Sequence, residues 1–281
     1  MNKTITELLN FGIIVIDKPT GPTSFSVSDF VRKKLKLNKT SHFGTLDPMV
    51  TGVLPVALGR ACRLTGVFLG HDKTYVGIMH THKEQDIKEL QEIINEKFTG
   101  KIMQLPPKKS RVKRAVRERE VKRFELLEVS EDKKDFLFIA EVQGGTYIRK
   151  LCSDLGDMIG GAHMAELRRT NAGIFDETQC VKLYDFEKAV EEYEKNPANC
   201  AKLKKMIIPA EEAIKQILPC YEVKEFAVFK LKTGKPLFKN DLLDELPREE
   251  KFAIFFKDKF VGIFKRVSEG DIIGKAEFIF N

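Results

Sequence analysis

Ser41-His42-Phe43-Gly44-Thr45-Leu46-Asp47-Pro48 separates two apolar segments, and everything else in the chain takes its place around it. Taken alone it is a turn. Gly44 and the Asp47-Pro48 pair are ordinary turn formers, and nothing local marks the aspartate as chemical. The apolar run over residues 52–58 that follows it reads as a strand. Upstream, residues 11–16 are rich in β-branched side chains and read as a buried strand ending at Asp17-Lys18-Pro19. Residues 18–24 contain two prolines and a glycine, the composition of a structured loop. Ser24 is placed to cap a helix over 25–35, where Val27, Phe30, Val31 and Leu35 share one face.

Further out the pattern alternates between strand and helix. A short helix is expected over 61–68, a strand over 73–82 and a helix over 86–96 carrying Ile87, Leu90, Ile93 and Ile94 on one face. Residues 116–129 and 135–143 read as strands joined by a polar turn. Gly144-Gly145 ends the second, and a helix over 146–159 follows. A strand and turn fill 162–175, and a polar helix fills 184–193. The charged, weakly periodic stretch 191–205 is the expected boundary, dividing the chain into 1–205 and 206–281. Beyond it, short strands over 252–256, 260–264 and 276–280 suggest a small β domain.

Composition narrows the classes. Hydrophobic residues at 42% are enough to build a core, so disorder throughout is excluded. Lysine and arginine exceed aspartate and glutamate, 48 to 41, and seven basic residues fall within Lys108–Arg119. Such a tract is either a solvated loop or a strip that neutralises phosphates. The five cysteines lack CxxC pairing, which argues against a zinc ribbon or a disulfide scaffold. No apolar run is long enough for a membrane span, and the expected location is intracellular, cytoplasmic. His80-Thr81-His82 puts two imidazoles on one strand face, but no third ligand lies nearby in sequence, so no metal is assigned. There is no phosphate-binding glycine loop and no nucleophile elbow. Arg149 opens an apolar helix, where the helix dipole disfavours a cation. A carboxylate partner would explain it, and so would an ordinary surface arginine.

Five segments together are more specific than any one. Gly12-Ile13-Ile14-Val15-Ile16-Asp17-Lys18-Pro19-Thr20-Gly21-Pro22-Thr23-Ser24, the Asp47 stretch, Lys73-Thr74-Tyr75, Gly145-Thr146-Tyr147-Ile148-Arg149 and Ala165-Glu166-Leu167-Arg168-Arg169-Thr170 occur in this order. In them the chain resembles the TruB family of RNA pseudouridine synthases. Residues 161–170 and 106–114 are similar to its archaeal, dyskerin-like branch. The tail from about residue 209 resembles a PUA domain.

The resemblance implies an α+β fold, a mixed and mainly antiparallel sheet flanked by helices, with a small RNA-binding β barrel behind it. It implies isomerisation of uridine to pseudouridine in tRNA or rRNA, without a cofactor. H/ACA guide RNA and small accessory proteins are the implied partners. It assigns Asp47 the chemistry, with Arg149 pairing to its carboxylate and Tyr75 stacking on the uracil. Lys18 would support the loop or a phosphate, and His42 would hold the flipped nucleotide's backbone. Leu167, with Arg168 or Arg169, would line the pocket floor. Lys108, Lys109, Arg111, Lys113 and Arg114 would contact the RNA backbone. The same residues leave two other functions open: a non-catalytic RNA-binding protein, and a nucleosidase that releases free base. Two departures stand out. Phe43 occupies a place where the family usually has a small serine or threonine, and the segment before Gly12 is short for the archaeal branch.

Overall fold

The computed structural model describes residues 3–107, 113–243 and 245–281. The chain separates into two compact units, residues 1–207 and 208–281.

In the first unit the described residues form the strands expected from the sequence and others, over 40–42, 100–104 and 181–182, that no expected strand covered. They are β1 (Gly12–Lys18), β2 (Thr40–His42), β3 (Thr51–Leu58), β4 (Lys73–Thr81), β5 (Gly100–Gln104), β6 (Arg117–Val129), β7 (Asp135–Val142), β8 (Ala162–Ala172), β9 (Phe175–Asp176) and β10 (Val181–Lys182). Their main order is β10-β1-β3-β8-β4-β7-β6-β5, with β2 added to β3 and β9 to β8. The β1–β10 and β3–β8 pairs are parallel and the others antiparallel. The mixed, mainly antiparallel α+β architecture is therefore present. Strands β1 and β3 are buried almost throughout, as continuous apolar runs in a sheet covered on both faces should be. Strand β4 instead alternates buried and half-buried residues.

The helices are α1 (Ile5–Asn10), α2 (Ser24–Lys34), α3 (Thr65–Phe68), α4 (Ile87–Lys97), α5 (Ile148–Ile159), α6 (Leu183–Lys195) and α7 (Ala201–Lys205). Helix α5 buries Ile148, Leu151, Cys152 and Leu155 at helical spacing and stops at Gly160 in the left-handed region. Three local expectations change. Ser24 is not the cap of α2. Thr23 is, accepting from the Ser26 amide, and this releases the Ser24 hydroxyl for another use. The expected helix over 61–68 is a 3₁₀ turn, Gly59–Leu64, followed by the single turn α3. The charged stretch before the boundary is helical and buries Leu203 in the first core. Its weak periodicity reflects one anchoring side chain on a five-residue helix.

In the second unit, after the short strand β11 (Ile207–Pro209) in which the division falls, come β12 (Cys220–Glu222), β13 (Leu237–Phe238), β14 (Lys251–Phe256), β15 (Lys259–Glu269) and β16 (Ile272–Ile279). The order is β12-β14-β15-β16-β13. The sheet curls until its ends meet: the Lys224 amide donates to Asp241 O (2.8 Å) and the Leu243 amide to Glu222 O (3.0 Å). Helices α8 (Ala210–Ile217) and α9 (Glu225–Lys232) belong to the same unit, and α9 contributes Ala227 and Leu231 to its core. Sequence reading missed both helices.

Candidate active site

The loop between β2 and β3 is fixed from below at Phe43, Gly44, Leu46, Pro48 and Val50. The Phe43 amide donates to Pro55 O (2.9 Å), which continues the β2–β3 pairing. Ser24 Oγ donates to Leu46 O (2.9 Å) and accepts from the Leu46 amide (2.8 Å). The Lys18 side chain, wholly buried, donates to Pro19 O (3.0 Å), Pro48 O (2.9 Å) and Val50 O (2.8 Å). An ammonium has three donors, so all of them are committed. Of the two roles open to Lys18, the geometry takes loop support. Burial lowers its pKa, and the nearby Asp47 carboxylate opposes that shift.

Arg169 completes the platform. It is 1% exposed, with Nε donating to Val53 O (2.8 Å) and one terminal nitrogen to Gly44 O (3.0 Å). The Tyr75 side chain lies near its guanidinium. Burial lowers its pKa and the tyrosine works against that. Gly52, beside it, has φ +99°, and a Cβ there would stand 2.2 Å from the Arg169 carbonyl oxygen. Only glycine lets β3 approach β8 this closely.

On this platform Asp47 points outward, its side chain 42% exposed, and pairs with Arg149 at 3.2 Å. Arg149 is the second residue of α5. The turn before it is clamped by Gln104, which donates to Tyr147 O (3.1 Å) and accepts from the Tyr147 amide (2.8 Å). Asp47, Arg149, Tyr75, His42 and Leu167 share one cavity of about 670 Å³. His42 Nε2 lies 3.2 Å from Thr45 Oγ1. Arg168 is elsewhere: it bridges Asp17 (2.9 Å) and Glu177 (2.6 Å) and does not line the cavity. Adjacent strand residues face opposite ways, so of the two arginines it is Arg169 that supports the pocket. Of the basic tract, Lys113 and Arg114 are exposed, while Lys108, Lys109 and Arg111 lie outside the described residues.

Phe43 has a structural explanation. It stacks on Phe68 (centroids 4.7 Å apart, 8° between planes) and touches Phe175 (6.1 Å), so the loop rests on an aromatic cluster. Phe43→Ser is expected to cost about 3–5 kcal/mol, as other phenylalanine truncations in cores do, read by chemical denaturation.

Sequence reading missed Gln104, the locking role of Ser24, and Lys73. Two consecutive hydroxyls at Thr23-Ser24, only one of which can cap, were a signal for Ser24. Lys73 is buried, donating to Leu69 O (2.7 Å) and to His71 O. Burial lowers its pKa to about 8; the Arg169 cation pushes the same way and Asp72 opposes. The unfolded chain, with its lysine near 10.5, binds more protons between those values. Stability should therefore rise with pH from about 8 to 10.5 through this group. Lys73→Met should flatten that slope in melting temperatures taken across the window.

A carboxylate on a clamped loop, an arginine holding it, and an aromatic face in one cleft suit chemistry on a base withdrawn from its stack. The comparisons agree with that class. The TruB family pseudouridylate synthase N-terminal domain matches residues 32–148, and the tRNA pseudouridylate synthase B C-terminal domain matches residues 149–215. A probable tRNA pseudouridine synthase B of Methanocaldococcus jannaschii is 44% identical over 216 residues, 76% of this chain and 63% of the relative's length. One from Methanococcus maripaludis is 42% identical over 242 residues, 86% and 71% respectively. Among solved structures, a chain of a Cbf5-Nop10-Gar1 complex superposes with TM-score 0.88 at 35% identity, covering 99% of this chain and 88% of that one. A chain of an H/ACA RNP bound to a substrate RNA containing 2'-deoxyuridine gives 0.86 at 34%, with coverage of 99% and 88%. The chain belongs to the TruB family of pseudouridine synthases.

Proposed function

We propose that this chain converts uridine to pseudouridine in RNA, at the T-loop uridine of tRNA (pseudouridine-55), at rRNA sites as the catalytic subunit of an H/ACA guide ribonucleoprotein, or at both. The observation that carries this reading is the Asp47–Arg149 pair at the mouth of the Tyr75 cavity. The reaction breaks the N1–C1′ bond, turns the uracil and joins C5 to C1′; the C5 proton leaves and N1 gains one. Nothing is oxidised or transferred from a donor, so no cofactor is needed. Asp47 acts as nucleophile, or as base at the ribose with electrostatic support for the departing uracil. Tyr75 supplies a face for the ring, with Leu167 beneath. Likeness to chains of a Cbf5-Nop10-Gar1 complex and of an H/ACA RNP supports guide RNA and small accessory proteins as partners.

The curled second unit acts as the PUA-like RNA-binding domain of this reading. It contributes affinity together with Lys113 and Arg114. RNA binding should therefore weaken steeply with salt, and replacing both residues by alanine should reduce the log–log slope by roughly 1–2, read by filter binding across a salt series. A flat salt response would remove the phosphate-strip role.

The deciding experiment incubates the protein with unmodified tRNA transcript, with and without guide RNA and accessory proteins, and maps pseudouridine. Product on tRNA alone assigns the stand-alone route, and product only with guides assigns the ribonucleoprotein. RNA binding without product under either condition would favour a non-catalytic RNA-binding protein. Free uracil in the supernatant would make it a nucleosidase.

A further inference from the structure

We propose that Gln104 is a positioning residue of the reaction proposed above: it fixes the turn that carries Arg149, and through Arg149 the carboxylate of Asp47. The inference rests on that reading of the site and adds a residue to it. Gln104 is the last residue of β5, at one end of the main strand order, and is 2% exposed. It does not line the Asp47 cavity, whereas Thr146, Tyr147, Ile148 and Arg149 all do.

The start of α5 is weakly specified by its own residues. Its N-cap is Tyr147, which makes no side-chain cap hydrogen bond, and no acidic residue stands in the first turn. Serine, threonine, aspartate or asparagine is usual at such a position. Thr146, one residue earlier, has a buried hydroxyl without a partner. Gln104 makes up the deficit from 43 residues away, with Nε2 donating to Tyr147 O (3.1 Å) and Oε1 accepting from the Tyr147 amide (2.8 Å). The same carbonyl accepts from the Lys150 and Leu151 amides (3.0 and 3.1 Å), so Gln104 grips the first acceptor of the helix. A glutamine amide carries a donor and an acceptor at fixed spacing, as a peptide unit does. An ionised glutamate or lysine at this place could make only one of the two bonds.

Arg149 stands two residues beyond this grip. Its pair with Asp47, at 3.2 Å, is at the upper end of hydrogen-bonding distance. A shift of about 1 Å in the turn would open it, a misplacement on the scale that costs about 10²-fold in rate. Both bonds of Gln104 go to backbone, so its effect on the chemistry passes through the placement of the turn. Gln91 provides a matched control. It donates to Phe124 O (3.0 Å) and accepts from the Leu126 amide (2.7 Å), the same kind of grip, on residues that do not line the cavity.

The test measures single-turnover pseudouridine formation and RNA affinity on the full chain, at a temperature where each variant is folded. The RNA is unmodified tRNA transcript, and target RNA with guide and accessory proteins. Gln104→Met should slow turnover about 10- to 100-fold, with RNA affinity within about threefold of wild type. Gln91→Met should lower the melting temperature comparably and leave turnover within about twofold. Gln104→Glu regains both bonds only when protonated, so its rate relative to wild type should fall as pH rises. It carries the test where the methionine variant is not folded. In an Arg149→Lys background, whose flexible ammonium has no fork to be held in place, Gln104→Met should cost less than about threefold. A Gln104→Met rate within about threefold of wild type, an equal slowing in Gln91→Met, or the full slowing in the Arg149→Lys background would each overturn the assignment. No product from wild type on either RNA would overturn the reading of the site, and this inference with it.

Discussion

Asp47→Asn is expected to lower pseudouridine formation at least ~10³-fold, the scale on which loss of a nucleophile or general base is felt. RNA affinity should stay near that of the parent. The structural reason is the separation of jobs within the loop. Its backbone is held by Lys18, Ser24 and Arg169, none of which bonds to the Asp47 carboxylate. The Asp47 side chain is 42% exposed and pairs with Arg149. An amide of the same shape therefore leaves the loop in place and removes only the charge. The measurement is single-turnover product formation beside a binding isotherm on the same RNA. Turnover within tenfold of wild type would end the assignment of the chemistry to Asp47. A parallel loss of affinity would mean that the carboxylate serves binding instead.

Arg169→Met should be the most damaging single change to the platform. The methionine fills similar volume but donates nothing, so the carbonyls of Gly44 and Val53 lose their partners inside the protein. Each such loss costs about 1–3 kcal/mol, while removal of a desolvated guanidinium returns part of it. A net loss on the order of 2–4 kcal/mol follows, or a fall in melting temperature of about 5–15 °C for a unit of this size. Turnover should fall roughly 10²-fold even where the variant is folded, because a displacement of about 1 Å in the loop misplaces Asp47. Arg169→Lys, which keeps the charge but not the fork of donors, should fall between. Arg168→Met breaks only partly exposed ion pairs to Asp17 and Glu177 and should change stability far less. Equal effects at the two positions would contradict the assignment of the pocket support to Arg169.

The contrast between these neighbours marks the limit of what was legible in the chain. The apolar runs of β1 and β3, the alternation of β4 and the helical spacing in α5 were readable because local periodicity and burial coincide there. The set Asp47, Tyr75 and Arg149 was readable through the order of five short segments, and these three do line one cavity. The small helices α8 and α9 were not readable, since eight residues give too little periodicity to separate from a loop.

The sequence by itself determined that a turn containing Asp47 leads into the buried strand β3, and which family's motifs surround it. Only the tertiary structure decided what that turn rests on. Lys18 is 30 residues from Pro48, Ser24 is 22 from Leu46, and Arg169 is 125 from Gly44. Such contacts carry no local signal, because a buried donor is matched to a carbonyl by the register of strands that pair only after the chain has folded. For the same reason Phe43, anomalous in its loop, is ordinary once Phe68 and Phe175 are beside it.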